Sequence, residues 1–258
     1  MRRLIAALCL LPILLLCAAG AVGTADVHAV DLSLRHASPS SRHWLGADHL
    51  GRDVFARLAE GGWRAISVML IAAVMTVAGA LALGLAATLA VAPLRLLAQR
   101  VAEMLALLPD LVIAILAVAV IGPSPVAVAL GLGLAGIGPA ALLVQGLARQ
   151  TLRETFVAAS YALGATSSGV ARRHVLPAVL PALLTHLASH IGHIVLSYSA
   201  IAFLGLGADS GAPDWGAMLF EYRVHLFEAP SLVVLPCAAL VLLSTGMHLL
   251  IEPRDTSR

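Results

Sequence analysis

Charged side chains are scarce in this chain. Asp, Glu, Lys and Arg make up 12% of its 258 residues, whereas 60% of the residues are hydrophobic. The mean hydropathy is +0.96, and an average soluble domain has about 25% charged residues. So few polar residues cannot cover a globule, which excludes an ordinary soluble domain and makes lipid the solvent for most of the chain. The net charge of +2 indicates no nucleic-acid partner.

Lysine is absent, so all 16 basic residues are arginines. A phosphate-binding P-loop requires the pattern Gly-x-x-x-x-Gly-Lys, and its absence excludes ATP hydrolysis by this chain. The His-Glu-x-x-His and Gly-x-Ser-x-Gly patterns of hydrolases are missing as well. We therefore expect a chain that is not an enzyme, has no catalytic residues and binds no cofactor of its own.

Cysteine is also rare. Cys9, Cys17 and Cys237 all lie within apolar runs, and their spacing is not that of a disulfide pair or a metal knuckle. We predict that the three thiols only fill space between helices.

Long apolar runs are what the sequence has in abundance. A transmembrane helix needs about 20 mostly apolar residues, and six stretches have that character. They are Leu4–Val22, Ala65–Val91, Val101–Ile121, Val126–Ala148, Leu183–Leu204 and Ser231–Ile251. The fourth stretch has closely spaced glycines that allow close helix packing, at positions 131, 133, 136 and 138. The sequence thus predicts an all-α integral membrane protein with about six transmembrane helices.

Arginine distribution predicts how these helices are oriented. With the N-terminus in the cytoplasm, ten of the 16 arginines face inwards and six face outwards, as the positive-inside rule favours. The predicted order is an N-terminal transmembrane helix (1–22), an external loop (23–64), a five-helix core (65–251) with a cytoplasmic loop at 149–181, and a cytoplasmic tail (252–258). Alternatively, the first helix, which follows Arg2 and Arg3, is a cleaved signal peptide.

The external loop contains an unusually polar stretch, HWLGADHLGRDVFARL, which begins at residue 43. We predict a short amphipathic helix in the membrane interface, capped by Asp48 and ended by Gly61 and Gly62. Asp53 and Arg57 would pair one turn apart on its polar side. Its apolar side would consist of Leu50, Val54 and Leu58. The alternative is a solvated linker without regular structure.

The loop at 149–181 is the other long polar segment. It reads as two short helical runs that are broken at Gly164 and closed by Pro177. Small and apolar residues occupy the first run, and such a helix end is suited to docking into a groove of a partner. The alternative is a packed connector between two membrane helices.

Four polar residues fall at membrane depth. Asp110 follows Pro109 in the third span, while His186, His190 and His193 share one face of the fifth. A charge in the bilayer is costly and therefore tends to face a pore or a partner, and histidines one turn apart can share a metal. These residues are candidates for pore lining or a metal relay, but no metal site is firmly assigned. The alternatives are capping of the helix that Pro109 interrupts, for Asp110, and hydrogen bonding between helices, for the histidines.

The cytoplasmic loop resembles the coupling loop of ABC importer permeases. That family pattern is Glu-Ala-Ala, three residues, Gly, nine residues, an apolar residue, any residue and Leu-Pro. The corresponding residues here, with the spacing kept, are Ala158, Ala159, Ser160, Gly164, His174, Leu176 and Pro177. Ala158 stands where the family has its Glu, and this departure removes a charged contact to the partner.

The polar external stretch resembles the peptide/nickel branch of the same family. That branch has His-Pro-Leu-Gly-Thr-Asp, two residues and Gly-Arg-Asp-Val, and the matching residues include Gly46, Asp48, Gly51, Arg52 and Asp53. Further matches are FLGLG at 203–207 and DWGAML at 214–219, although Ser210-Gly211 replaces the usual Pro-Pro between them. The three motifs, in order, span residues 43 to 219.

This resemblance implies a binding-protein-dependent permease subunit in a bacterial inner membrane. Its implied partners are a second permease subunit, two ATPase subunits that bind ATP-Mg, and an external solute-binding protein, with the polar external stretch near the docking place of that protein. Nickel, another metal or metal chelate, or a short peptide is the expected solute, and the intramembrane histidines favour a metal. An ion-coupled secondary metal transporter is the alternative, although the inverted repeats typical of such carriers are not evident.

Overall fold

The computed structural model describes residues 2–22, 26–207 and 212–251. The predicted tail at 252–258 and the Ser210-Gly211 replacement lie outside these residues. The helices of the described residues are α1 (Arg2–Val22), α2 (Val54–Leu89), α3 (Ala92–Leu107), α4 (Asp110–Ile121), α5 (Pro125–Leu152), α6 (Thr155–Ala162), α7 (Ser167–Val170), α8 (Leu176–Phe203), α9 (Trp215–Tyr222) and α10 (Pro230–Ile251). The described part of the chain contains no strand beyond one isolated bridge between Ala47 and Asp53, which confirms the predicted all-α class.

Five helical segments in the described residues are long and apolar enough to cross a membrane. They are α1, α2, α5, the run from Ser167 to Phe203, and α10. Together α3 and α4 make a sixth crossing only as a bent pair, with an angle of 99° between them. The prediction of about six spans is thus confirmed as an upper limit. The prediction of a single helix over Val101–Ile121 was wrong.

Proline causes the break between α3 and α4. Leu108 has φ −85° and ψ 133°, as expected for a residue that precedes proline and is kept out of the helical region. Pro109 itself is extended, with ψ 133°, and cannot donate a backbone hydrogen bond. The apolar composition of this stretch therefore did not reveal that α4 starts anew at Asp110.

The helix α2 differs from the short interfacial helix that the sequence predicted. Asp53, rather than Asp48, caps it, and the Asp53 carboxylate accepts a hydrogen bond of 2.8 Å from the amide of Ala56. The helix then continues without a break through Gly61 and Gly62. These two glycines make room for neighbours, because a Cβ would lie 2.7 Å from Trp215 Cδ1 and from Cys17 Sγ, respectively. Residues 54–64 are therefore the first part of a membrane helix.

The end of the 149–181 loop was also predicted incorrectly. Pro177 does not close a helical run; it is the second residue of α8 and lies inside a continuous helical run. A π-helical turn at Ala171–Val175 joins α7 to α8, so the helical run from Ser167 to Phe203 is 37 residues long. The fifth span thus begins within the polar loop, well before Leu183.

Small residues bring the central helices together, as the glycines of the fourth span predicted. A Cβ on Gly131 of α5 would lie 2.5 Å from the Cα of Ala114 in α4, and one on Gly84 of α2 would lie 2.6 Å from Val144 in α5. Thr76 of α2 donates a hydrogen bond of 3.1 Å to the carbonyl of Gly133 in α5. Such close approach is how helices associate in lipid, and α5 is the most buried span, with 61% of its apolar window inside the protein.

Candidate functional site

The candidate site residues outside the membrane core lie in two regions of the structure. The first is the Gly164 loop, which we define as residues 153–175. The second is the polar cap, which comprises residues 26–53 and 212–229. The histidine row of His186, His190 and His193 lies on α8.

Gly164 ends α6 in the manner that the sequence predicted. Its φ of +89° is in the left-handed region, which glycine adopts without the steric penalty of a Cβ. The amide of Gly164 donates to the carbonyl of Tyr161 at 2.9 Å, and the amide of Ala165 donates to the carbonyl of Ser160 at 3.0 Å. This pair of bonds is a Schellman cap, which stops α6 and turns the chain towards α7.

The first turn of α7 has a cap of its own. The Thr166 hydroxyl oxygen accepts a hydrogen bond of 3.2 Å from the amide of Gly169. Ser160 and His174 connect α6 to the π-helical turn, since the Ser160 hydroxyl lies 3.2 Å from His174 Nε2. The ring of Phe156 lies 5.3 Å from that of His174. Two of the predicted coupling residues thus hold the Gly164 loop together.

The α6 end of the Gly164 loop is apolar and exposed, whereas Arg153, Arg172 and Arg173 are exposed elsewhere on the loop. Leu163 is 90% exposed, and Phe156 is 50% exposed. The Ala158 and Ala159 side chains are exposed as well, whereas Val157 is buried in the bundle. Nothing lies within 4 Å of the position that a Gly164 Cβ would occupy. The C-terminal end of α6 is therefore apolar and has open space before it at Gly164, while Leu176 and Pro177 are the first residues of α8.

Asp48 is the centre of the polar cap, and its side chain is fully buried. Its Oδ2 accepts hydrogen bonds from Arg52 Nε at 2.7 Å and from the Tyr222 hydroxyl at 3.1 Å. Its Oδ1 accepts from the backbone amides of Leu50 and Arg52. Burial would raise the pKa of this carboxyl, but the Arg52 charge and these hydrogen bonds outweigh that effect and lower the pKa below its ordinary value.

Two arginines connect Asp48 to the segment around α9. The Arg52 and Arg57 guanidinium groups donate to Glu221 Oε2 at 2.6 and 3.1 Å, and Arg57 Nε lies 3.8 Å from Asp48 Oδ2. Arg57 is fully buried and is not on a solvated helix face. The predicted pair of Asp53 with Arg57 is therefore wrong: Asp53 Oδ2 lies 2.7 Å from His43 Nδ1 instead.

Glycines of the external motif permit the tight chain path around Asp48. Gly51 has φ +74°, and a Cβ at this position would collide with the carbonyl group of Asp31. The amide of Asp31 in turn donates to the carbonyl of Leu50 at 3.1 Å. Gly46 has a positive φ as well. The motif residues thus build a folded cap rather than the exposed helix face expected from their spacing.

The histidine row follows one face of α8, as predicted. The ring centroids of His186 and His190 are 6.3 Å apart, and those of His190 and His193 are 5.6 Å apart. Nε2 of His193 lies 3.1 Å from Oδ2 of Asp110, which joins α8 to α4. In the described residues these histidines form no group of three ligand atoms within 4.8 Å.

Asp110 occupies the first turn of α4, a position at which a negative charge favours the start of a helix. Its contact with His193 shows that the alternative of hydrogen bonding between helices is observed for that histidine. The His193 side chain is 55% exposed in the single chain, and the row consequently opens onto the surface of the bundle, where a pore or a second subunit can face it.

Residues 76–255 match the model of the protein family described as binding-protein-dependent transport system inner membrane component. The chain belongs to this family. The matched range includes the Gly164 loop, the histidine row and α9, whereas the first part of the polar cap, residues 26–53, precedes it. The resemblance that the sequence motifs indicated is thereby confirmed.

Relatives of this inner membrane component include glutathione transport system permease proteins GsiD. The protein of Shigella flexneri serotype 5b (strain 8401) is 32% identical over 212 residues, which cover 82% of this chain and 70% of the relative. That of Escherichia coli (strain UTI89 / UPEC) is 32% identical over 222 residues with the same coverage. A solved structure of the MetNI methionine ABC transporter matches with a TM-score of 0.57 at 17% identity, over 74% of this chain and 93% of that one, which supports the fold.

Membership of this family makes the chain a permease subunit of an ABC importer and a multi-pass inner membrane protein. It is a transport component rather than an enzyme, as the absence of a P-loop lysine predicted. Members of the family act in general with a partner permease, ATPases and a binding protein.

Sequence reasoning missed the long-range partners in the polar cap. Glu221 and Tyr222 belong to α9, which the six apolar stretches did not include. Glu221 is 169 positions from Arg52 along the chain, and no local pattern connects the two. The external loop at 23–64 holds five arginines and five acidic residues, so its composition gave no signal of a distant partner.

Proposed function

We propose that this permease forms half of a pore that imports a short peptide of the glutathione class. The observation that carries the proposal is the Gly164 loop, a Schellman-capped apolar helix end exposed on a bundle of the importer family. An exposed end of this shape fits a groove in an ATPase partner, and the chain has no ATP site of its own. The solute class comes from the relatives, whose names specify glutathione.

The proposed orientation places the N-terminus and the Gly164 loop in the cytoplasm and the polar cap outside. The arginine distribution supports it, and it brings the apolar end of the loop to the side where ATP is available. The assembly would then consist of this chain, a second permease subunit, two ATPases that bind ATP-Mg, and a solute-binding protein that docks on the polar cap.

Uptake of labelled glutathione tests this function. We expect cells that express the chain with a cognate ATPase, second permease and binding protein to accumulate the label. A Walker-site variant of the ATPase should abolish that accumulation. Flux into liposomes that hold this chain alone, without nucleotide or partner, would contradict the proposal and restore a self-sufficient carrier, which family membership does not support.

A metal-linked solute is the second candidate, because the histidine row opens onto the surface and His193 contacts Asp110. Imidazole nitrogens suit nickel, copper and zinc. Replacing His186, His190 and His193 together with Ala should lower uptake of labelled nickel at equal membrane abundance. Unchanged nickel uptake in that variant would assign the histidines to helix packing.

A further inference from the structure

A second cluster of histidines lies in the polar cap, far from the histidine row. His36 and His49 belong to the loop at 26–53, whereas His225 and Glu228 follow α9. One ligand atom from each of His36, His225 and Glu228 lies within 4.8 Å of the others, and in the described residues this is the only such group of three. His49 stacks on His225 with ring centroids 4.8 Å apart.

Three ring nitrogens of this cluster are buried and lack hydrogen-bond partners in the described residues. Both Nδ1 and Nε2 of His36 are enclosed and unpaired in the described part of the chain, and so is Nδ1 of His49. Buried polar atoms in proteins are nearly always hydrogen-bonded, so each exception needs an explanation. A cation bound between the two imidazoles and the carboxylate would explain why these nitrogens have no hydrogen-bond partner.

The backbone at His36 gives an independent indication. His36 has φ +53°, and within the described residues it is the only residue other than glycine with a positive φ. Such strained conformations tend to persist at functional sites. The amide of His36 donates to the carbonyl of Asp48 at 3.0 Å, so the buried ion network of the cap holds His36 in this conformation and directs its ring towards His225, 5.1 Å away.

The charges around the cluster suit a divalent cation. Nδ1 of His225 lies 3.5 Å from Oε2 of Glu228, whose side chain is 69% exposed and can rotate towards an ion.

We propose that His36, His225 and Glu228 bind a divalent transition metal ion of the zinc and nickel class, with His49 stacked behind His225. Two imidazoles and one carboxylate are the ligands these metals accept, and three protein ligands leave a fourth position for water or a solute group. The ion would clamp the loop at 26–53 to the segment after α9. This site goes beyond the proposed transport function, since the bound ion is not required to cross the membrane.

The test is metal binding to the purified full-length chain in detergent, with an affinity tag that contains no histidine. We expect about one Co²⁺ per chain to bind with the visible absorption of a low-coordinate cobalt site, and Zn²⁺ to displace it. His225→Gln should weaken binding by more than the roughly 10–100-fold that loss of an outer-shell partner causes. His28→Gln, an exposed histidine of the same loop, should leave binding unchanged.

Two further variants secure the interpretation. Glu228→Gln alters an exposed side chain and should weaken binding without affecting folding. His36→Asn removes the imidazole but keeps a residue that tolerates the left-handed conformation. Zn²⁺ should raise the thermal unfolding temperature of the wild type and of His28→Gln, but not of these two variants, and all should unfold alike after chelation.

Several results would overturn this metal site. The first is the absence of saturable cobalt binding by the wild type. The second is cobalt binding by His225→Gln and Glu228→Gln that is as tight as that of the wild type. The third is cobalt binding that is lost only when the histidine row is replaced with Ala. The metal-binding assay requires neither solute nor ATPase. A negative result in it would therefore not contradict the proposed import function, and a negative uptake result would not contradict the metal site.

Discussion

At the scale of single residues, Asp48 organises more contacts than any neighbour in the external motif. Its carboxylate is buried, accepts from Arg52 and Tyr222, and lies beside Arg57. Removing one member of a buried ion network leaves the other charges uncompensated, at a cost of about 3–5 kcal/mol. Asp48→Asn should therefore destabilise the folded chain by that order at neutral pH, as measured by thermal unfolding in detergent.

The pH dependence of the Asp48→Asn effect has a defined sign. The folded-state pKa of Asp48 lies below its ordinary value, so the stabilisation is fully present above the unfolded pKa of about 3.9 and is lost as the pH falls through the folded pKa. The gap between wild type and Asp48→Asn should be largest at pH 7 and should shrink below about pH 4.

The matched control for Asp48 is Asp26→Asn, an exposed aspartate of the same loop that accepts a bond from the amide of His28. We expect Asp26→Asn to unfold nearly as the wild type does at every pH. Equal unfolding of the two variants at neutral pH would show that the buried network around Asp48 does not stabilise the cap.

At the scale of elements, the uninterrupted helix α2 depends on contacts that cross from other helices. Gly62 lies against Cys17 of α1 and against Trp215 of α9, and the Trp215 indole donates to the carbonyl of Leu58 at 2.9 Å. Gly62→Leu should force these three helices apart and destabilise the chain by about 1–3 kcal/mol. Thermal unfolding in detergent measures the change.

Gly146→Leu is the control for this packing effect. Gly146 lies on α5 in a helical conformation, is exposed, and has no atom within 4 Å of its Cβ position. This variant should unfold within about 0.5 kcal/mol of the wild type, as surface substitutions usually do. If Gly62→Leu proved equally harmless, the packing of α1, α2 and α9 around Gly62 would be wrong.

Helix boundaries show where sequence reasoning succeeds and where it fails. Apolar length located the membrane helices, because burying some 20 residues in lipid requires such a run wherever it occurs. Capping and glycine patterns instead predicted a separate interfacial helix that begins at Asp48 and ends at Gly61 and Gly62, ahead of a span at Ala65–Val91. Residues distant along the chain determine where the helix begins and continues. Tyr222 and the arginines contact Asp48, and Trp215 fills the space beside the two glycines.

At the scale of the whole molecule, the orientation in the membrane can be tested by labelling. In a variant whose native cysteines are replaced with Ala, single cysteines at the exposed positions Thr166 and Ser168 of the Gly164 loop should resist an impermeant thiol reagent in intact cells. A single cysteine at Ser41, exposed in the polar cap, should react. Labelling of the loop but not of the cap from outside would invert the proposed topology.

The candidate sites were predictable to the extent that they are local in sequence. The turn at Gly164 follows from the positive φ that glycine adopts, and the common face of His186, His190 and His193 follows from helical periodicity. The ion network of the cap and the cluster of His36 with His225 join segments that are distant along the chain. The packing of α9 against α8 and α10 helps to bring these segments together, and no local pattern encodes that packing.

The central claim is that the Gly164 loop couples this permease to an ATPase. Gly164→Asp introduces a Cβ at φ +89°, where a left-handed conformation costs roughly 1–2 kcal/mol, and places a charge in the open space before the loop. Ala158→Glu is the matched control, since it adds an acid at an exposed helical position of the same loop without backbone strain and restores the acid of the family pattern.

The most direct measurement is pull-down of the ATPase together with ATP-dependent uptake for each variant, at equal abundance in the membrane. Gly164→Asp should reach normal membrane levels but bind the ATPase at least about tenfold more weakly, which corresponds to about 1.4 kcal/mol, and should lose uptake. Ala158→Glu should retain both activities. If Gly164→Asp binds the ATPase and supports uptake as the wild type does, the loop is only a connector between α5 and α8, and the coupling claim is wrong.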